Sequence, residues 1–237
     1  MRAPRVSGYS VPMTHVAGAD VWKGQWVAVV LEDGRFRSAF VRPTASDVLD
    51  ALEGVEVLAL DIPIGLPKGN DHRGCDAAAK VFVGPRSASV FHTPPRAVLE
   101  APTYREANRL SKETAGRGIS AQAYALRSKI LEVDPLAATD DRIVEAHPVV
   151  SFRAMKGSPL ESPKKSWNGQ MERRTLLRFR GIELPDHLTG VGMVPADDLL
   201  DAAAAAWSAL RVHRGDAAVL PPLEKETGTG RHSRIWY

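Results

Sequence analysis

Residues 55–67 read Val55-Glu56-Val57-Leu58-Ala59-Leu60-Asp61-Ile62-Pro63-Ile64-Gly65-Leu66-Pro67. Val55, Val57, Leu58, Ala59 and Leu60 form a compact apolar run that ends at Asp61, and Pro63, Gly65 and Pro67 prevent its continuation. So short and apolar a run is expected of a buried strand whose end opens into a loop. It is read as the fourth strand of the chain, central in its sheet, with a carboxylate at its tip. Working back from it, Val48, Leu49, Ala51, Leu52 and Val55 recur at helical spacing behind Thr44-Ala45-Ser46-Asp47, which has the form of a helix N-terminus. Before that helix, His15 to Asp20, Trp26 to Leu31 and Arg35 to Val41 read as three antiparallel strands, the last two joined by an Asp33-Gly34 hairpin turn.

Working forward, residues 68–118 scatter Gly, Pro and Arg among short helical fragments such as Asp76 to Val81 and Tyr104 to Lys112, which predicts an irregular helical cap. The pattern predicts a helix over Ser120 to Val133, a fifth strand over Arg142 to Ala146, a loop over 156–172 and a helix over Arg173 to Arg180. The last clear helix runs from Ala196 to Val212, and its alanines, Ala202 to Ala206, let it lie close to a sheet. Ile235-Trp236-Tyr237 can add an edge strand. The sum is an α/β fold with a mixed five-stranded sheet in the order 3-2-1-4-5 and helices on both faces. Residues 1–13 lack the apolar run of a signal peptide and are expected to be a disordered leader; residues 14–237 are expected to be one domain.

Composition narrows the class of function. With 237 residues, 44% hydrophobic and 25% charged, the chain is long enough for a core without disulfides. Its apolar stretches fall short of the roughly 18–20 residues a membrane span needs. The lone Cys75 excludes intrachain disulfides and cysteine-rich zinc sites, and fits a reducing, cytoplasmic setting. A formal charge of +3 permits a polyanionic partner but is too small to argue for one. No Gly-x-x-x-x-Gly-Lys loop is present, so nucleoside-triphosphate binding is unsupported.

The order of elements resembles the ribonuclease H-like fold. That resemblance implies that acids on the first strand, the fourth strand and the last helix meet to hold divalent metal, here Asp20, Asp61 and the pair Asp198 and Asp201. Two-metal phosphodiester chemistry needs hard carboxylate oxygens converging on ions roughly 4 Å apart. Asp198 and Asp201 are three residues apart, about 60° around a helix, so both can face one site while Asp197 turns aside.

Further motifs narrow the family. Asp20 with Trp26, the run from Asp61 to Pro67, Arg73 with Cys75-Asp76, Arg86-Ser87-Ala88-Ser89-Val90-Phe91, Gly118 to Gln122, Lys129 to Asp134 and Glu145-Ala146-His147-Pro148 are similar to the domain-of-unknown-function 429 family, predicted ribonuclease H-like nucleases. The likeness spans about residues 15–237. Asp198-Leu-Leu-Asp201-Ala-Ala-Ala is also similar to the last helix of Holliday-junction resolvases. One departure is Val149, where the family pattern leads one to expect Glu after His-Pro. The resemblance implies a magnesium- or manganese-dependent nuclease or phosphodiesterase with Asp20, Asp61, Asp198 and Asp201 as ligands.

Other residues are candidates on their own chemistry. Glu132 and Glu145 can each add a ligand or general base, against the plainer reading of a solvated charge; His147 can orient water or phosphate, or serve as a structural hydrogen bonder; Cys75 reads as a buried spectator thiol. Lys164, Lys165, Arg173, Arg174, Arg178 and Arg180, with Trp167 among them, form a basic interval able to grip phosphates and stack a base, or else a solvated helix face. The expected partners are nucleic acid or a smaller phosphorylated substrate. The alternative function is a non-catalytic module binding nucleic acid, a nucleotide or a protein.

Overall fold

A computed structural model describes residues 13–223 and 233–237. The disordered leader expected over 1–13 lies, but for Met13, outside the described residues. The chain begins with a meander of β1 (His15–Trp22), β2 (Gln25–Glu32) and β3 (Arg35–Arg42). Its two turns, Lys23-Gly24 and Asp33-Gly34, hold both residues at positive φ, the backbone of a two-residue turn that matches strand twist. Helix α1 (Ala45–Asp50) follows a complete capping box between Thr44 and Asp47, and β4 (Val57–Leu60) follows α1.

The region 68–118 holds α2 (Gly74–Val83), a 3-10 turn (Gly84–Ser89), α3 (Arg96–Leu99) and α4 (Tyr104–Ala115). The single helix expected over 120–133 is two, α5 (Ala121–Ala125) and α6 (Arg127–Ala137), which meet at Leu126. After β5 (Ile143–Ala146) comes α7 (Pro148–Lys156), then α8 (Trp167–Phe179), then α9 (Ala196–Arg214). Helix α7 starts at Pro148, because proline at the first helical position gives up no hydrogen bond. One correction arises here. Helix α8 begins six residues before Arg173, at Trp167, capped by Ser166 accepting from the Gly169 N–H.

The sheet has seven strands in the order β3-β2-β1-β4-β5-β7-β6, where β6 is Val219–Leu220 and β7 is Ile235–Trp236. The expected order 3-2-1-4-5 stands within it, extended by two short strands beyond β5. Strands β1, β4, β5 and β7 are parallel neighbours, so their carboxyl ends share one edge. Each face of the sheet carries its own core. Val16, Val27, Val29, Val57 and Ala59 pack with α2, α7, α8 and α9; Ala17, Ala19, Trp26, Leu58 and Leu60 pack with α1 and α6. No helix is long and apolar enough to cross a membrane among the described residues.

Candidate functional site

The closeness of α9 to β1 decides the site. A Cβ on Gly18 would lie 1.9 Å from the Ala206 amide nitrogen and 2.5 Å from the Ala202 carbonyl oxygen, so the helix backbone rests directly on the strand. Only a hydrogen at Gly18, facing the fully buried Ala202 to Ala206, allows this approach. Asp20 follows Gly18 on the same face of β1 and Asp201 precedes Ala202 on α9, so the packing that seats the helix also joins the two carboxylates. The third comes from the neighbouring strand: Ala19 pairs with Leu60, and the Asp61 amide donates to the Ala19 carbonyl at 2.9 Å.

Asp20, Asp61 and Asp201 each offer an oxygen within 4.8 Å of the others. Asp20 and Asp201 are buried and Asp61 is half-buried. Asp198, half-buried, lines the same cleft but stands outside that group of three. Asp197 is buried, its Oδ2 3.8 Å from Lys164 Nζ, so it neighbours the site although spacing had turned it aside.

Burial and mutual repulsion make these acids hard to ionise. Asp20 is held well above the ordinary carboxylate range by burial first and then by Asp61 and Asp201. Asp61 is pushed up to about 8 by burial and then by Asp201. Asp201 is also raised by burial, against the pull of Lys164. Lys164 Nζ donates to Asp201 Oδ2 at 2.6 Å, while Asp201 Oδ1 is buried with no partner among the described residues. The Asp20 Oδ1 accepts from the Val21 amide at 2.6 Å.

A cleft of about 500 Å³ opens above the triad, lined also by Asp198, Glu145, His147, Arg86 and Phe91. Glu145 is held by two bonds to its Oε2, from Arg73 Nη2 at 2.5 Å and from the Ile64 amide at 2.7 Å. Burial nevertheless raises it to about 7. Arg73 is itself enclosed, donating to Thr93 Oγ1 at 3.1 Å and to Cys75 Sγ at 2.8 Å, and lying 3.5 Å from Asp76 Oδ1. This buried network was not read from the sequence as a unit; the Arg73, Cys75-Asp76 and Glu145 motifs are its traces. Cys75 is buried and its thiol is pushed up by that burial, in keeping with a spectator role. His147 is lowered to about 4 by burial, so it is neutral at physiological pH, and its Nδ1 has no partner among the described residues.

Two sequence readings change. Glu132 is no ligand: its carboxylate takes hydrogen bonds from Trp26 Nε1, the Ala45 amide and Lys129 Nζ, which ties α6 to β2 and α1. The basic interval is largely spent within the chain. Lys164 serves Asp201; Arg173 is buried and donates to the Ser162 and Gly169 carbonyls; Arg174 donates to the Leu184 carbonyl and Asp186; Arg180 donates to the Met155 carbonyl. Lys165 and Arg178 remain exposed, as does Trp167 at 73% exposure.

Parallel strand ends that open into a crevice are where α/β sheets place their ligands, and the aspartates sit at such an edge. No curated protein and no solved structure matches the chain. A family profile described as "Protein of unknown function (DUF429)" does match, over residues 18–226, a span that takes in β1 from Gly18 onward, β4, β5 and α9 and with them every acid of the cleft. The chain belongs to the DUF429 family.

Proposed function

We propose that this protein is a divalent-metal-dependent phosphodiester hydrolase built on a ribonuclease H-like fold. The convergence of Asp20, Asp61 and Asp201 within 4.8 Å carries the reading. The residues suit magnesium or manganese: all are hard oxygen donors, and the buried Asp201 Oδ1 lacks, among the described residues, a partner that a cation would supply. Asp20, Asp61 and Asp201 would hold the metal, with Asp198 as a further ligand from the mouth of the cleft. Such ions polarise a phosphoryl oxygen and acidify water.

The chain's own groups take the remaining roles. Both hydrogen bonds to Glu145 fall on Oε2, so Oε1 is the oxygen that takes a proton from an attacking water, and a carboxyl near 7 is suited to that task. Arg86 and Lys164 supply positive charge along the wall where a phosphate would lie. Ser89, Val90 and Phe91 of the cap bound the cleft, which favours a single strand or a smaller phosphorylated molecule over a continuous duplex. A non-catalytic binding module is the second reading, favoured by one observation: Lys164 already neutralises Asp201.

Melting curves in chelator and in manganese test the proposal. At a hundredfold excess over Kd the metal adds about 2.7 kcal/mol, a rise of about 5–10 °C for a chain of this size. Asp61→Asn and Asp201→Asn should shrink that rise, and exposed Asp50→Asn should keep it. No rise in the wild type removes the metal site; a rise without hydrolysis of bis(p-nitrophenyl) phosphate leaves the binding module.

A further inference from the structure

A second cavity, about 230 Å³, adjoins the aspartate cleft, and Val90 and Phe91 line both. Its ionisable lining is mostly basic: His72, Lys80, His92 and Arg117, with Asp71 as the one carboxylate among the described lining residues. The Arg117 Nη2 lies 2.9 Å from His72 Nδ1, which requires that nitrogen to accept, and Lys80 Nζ donates to the Ser87 carbonyl at 3.2 Å. Neither cation forms an ion pair with a carboxylate among the described residues. His92 Nδ1 is buried with no partner among the described residues, and its ring lies 6.3 Å from that of His72. Burial, then Arg117, then Lys80 lower the pKa of His92, while Asp76 opposes them.

Cations gathered in a concavity without a paired carboxylate repel one another more than the lone Asp71 offsets, and the arrangement is favourable once an anion enters. The donors also differ in kind: a planar guanidinium, a point-charge ammonium and an imidazole approach one space, which matches an anion with several acceptor oxygens. We propose that this pocket is a phosphoryl-binding subsite, and that it holds a second phosphate of the substrate whose ester bond lies over Asp20, Asp61 and Asp201. The first clause stands on the pocket alone; the second rests on the phosphodiesterase reading.

The test uses the full chain in chelator, titrated with inorganic phosphate and followed by imidazole nitrogen NMR. The His92 resonance should shift saturably. Lys80→Gln and Arg117→Gln should each weaken binding at least tenfold, Lys80→Arg should keep it within about threefold, and Asp61→Asn should leave it unchanged. An unmoved His92 resonance, or an unchanged Kd in Lys80→Gln with its melting temperature intact, overturns the subsite whatever manganese does at the aspartates. A dinucleotide with and without a 5′-phosphate then tests the second clause. The phosphorylated form should bind at least tenfold more tightly to the wild type, and that advantage should vanish in Lys80→Gln. Equal binding of the two forms to the wild type overturns the substrate role and leaves the metal site untouched.

Discussion

The Lys164 ammonium lies 2.6 Å from Asp201 Oδ2 and 3.8 Å from Asp197 Oδ2, so the acidic cleft of this protein carries its own cation. A lysine there offsets like-charge crowding when metal is absent and competes with metal when it arrives. Lys164→Ala should therefore lower the melting temperature in chelator, by a stability loss of about 1–3 kcal/mol for a buried carboxylate left unpaired. The same variant should bind manganese more tightly than wild type. Calorimetric titration with manganese checks the sign: weaker binding would make Lys164 a support of the metal site rather than its competitor.

The raised acids predict how metal-free stability varies with pH. Asp61 titrates near 8 when folded against an ordinary 3.8, so the folded chain keeps a proton that the unfolded chain has lost, and stability falls as pH rises between those values. Glu145, near 7, acts in the same direction, whereas His147, lowered to about 4 from 6.5, makes stability rise with pH across its own window. Above pH 6.5 the His147 contribution is nearly constant and adds little to the slope. From pH 6.5 to 8 in chelator the wild type should lose up to about 2 kcal/mol, and Asp61→Asn should lose clearly less. Urea titrations at the two pH values give the difference directly; equal slopes for both proteins would contradict it.

Arg73 faces two acids at once, Glu145 and Asp76, with its side chain almost wholly enclosed. Its removal strands two buried carboxylates without their counter-charge. Arg73→Met should cost about 3–5 kcal/mol, as breaking a buried ion pair from one side does. Adding Glu145→Gln to Arg73→Met should recover part of that loss, because one of the two stranded charges is gone. A double-mutant cycle in urea measures the coupling; additive losses would mean that the pair does not interact in the folded chain.

The parts of this fold that follow local rules were readable from sequence. The apolar stretch Trp26 to Leu31 and the Asp33-Gly34 turn marked the meander, the apolar run before Asp61 marked a central strand, and the alanines after Asp201 marked a helix close to a sheet. Elements whose cause is distant were not. The two-residue β6 exists through pairing with β7 and carries no local signal of its own, and β7, expected at an edge from Ile235-Trp236-Tyr237, lies instead between β5 and β6. Helix α8 hid behind Gly169, which reads as a loop residue but is required because a Cβ there would lie 1.9 Å from the Pro163 carbonyl oxygen. Arg73 and Glu145 are 72 residues apart, so no spacing rule joins them. The basic residues misled for the opposite reason: charge was legible, but whether Lys164 or Arg173 faces solvent or an internal acceptor depends on the turn that carries it.

Gly18 gives the sharpest test of how packing builds the site. It makes no contact of its own with the cleft, being two residues before Asp20 on β1 and absent from the cleft's lining, and its absent side chain is what lets α9 approach. Gly18→Ala adds one methyl group against backbone atoms that have no rotamer with which to yield, so the helix must move away from β1. Overpacking of this kind costs about 1–3 kcal/mol, and contact with backbone places the expected loss at the upper end. The movement also carries Asp201 away from Asp20 and Asp61. The variant should therefore lose manganese affinity at least tenfold, while keeping all three carboxylates and enough stability to remain folded. A comparably destabilising change in the other core, such as Ile130→Ala at about 2–5 kcal/mol, should leave manganese affinity unaltered, since Ile130 packs on the opposite face of the sheet. If Gly18→Ala melts lower yet binds manganese as tightly as wild type, the position of α9 does not set the separation of Asp20 and Asp201.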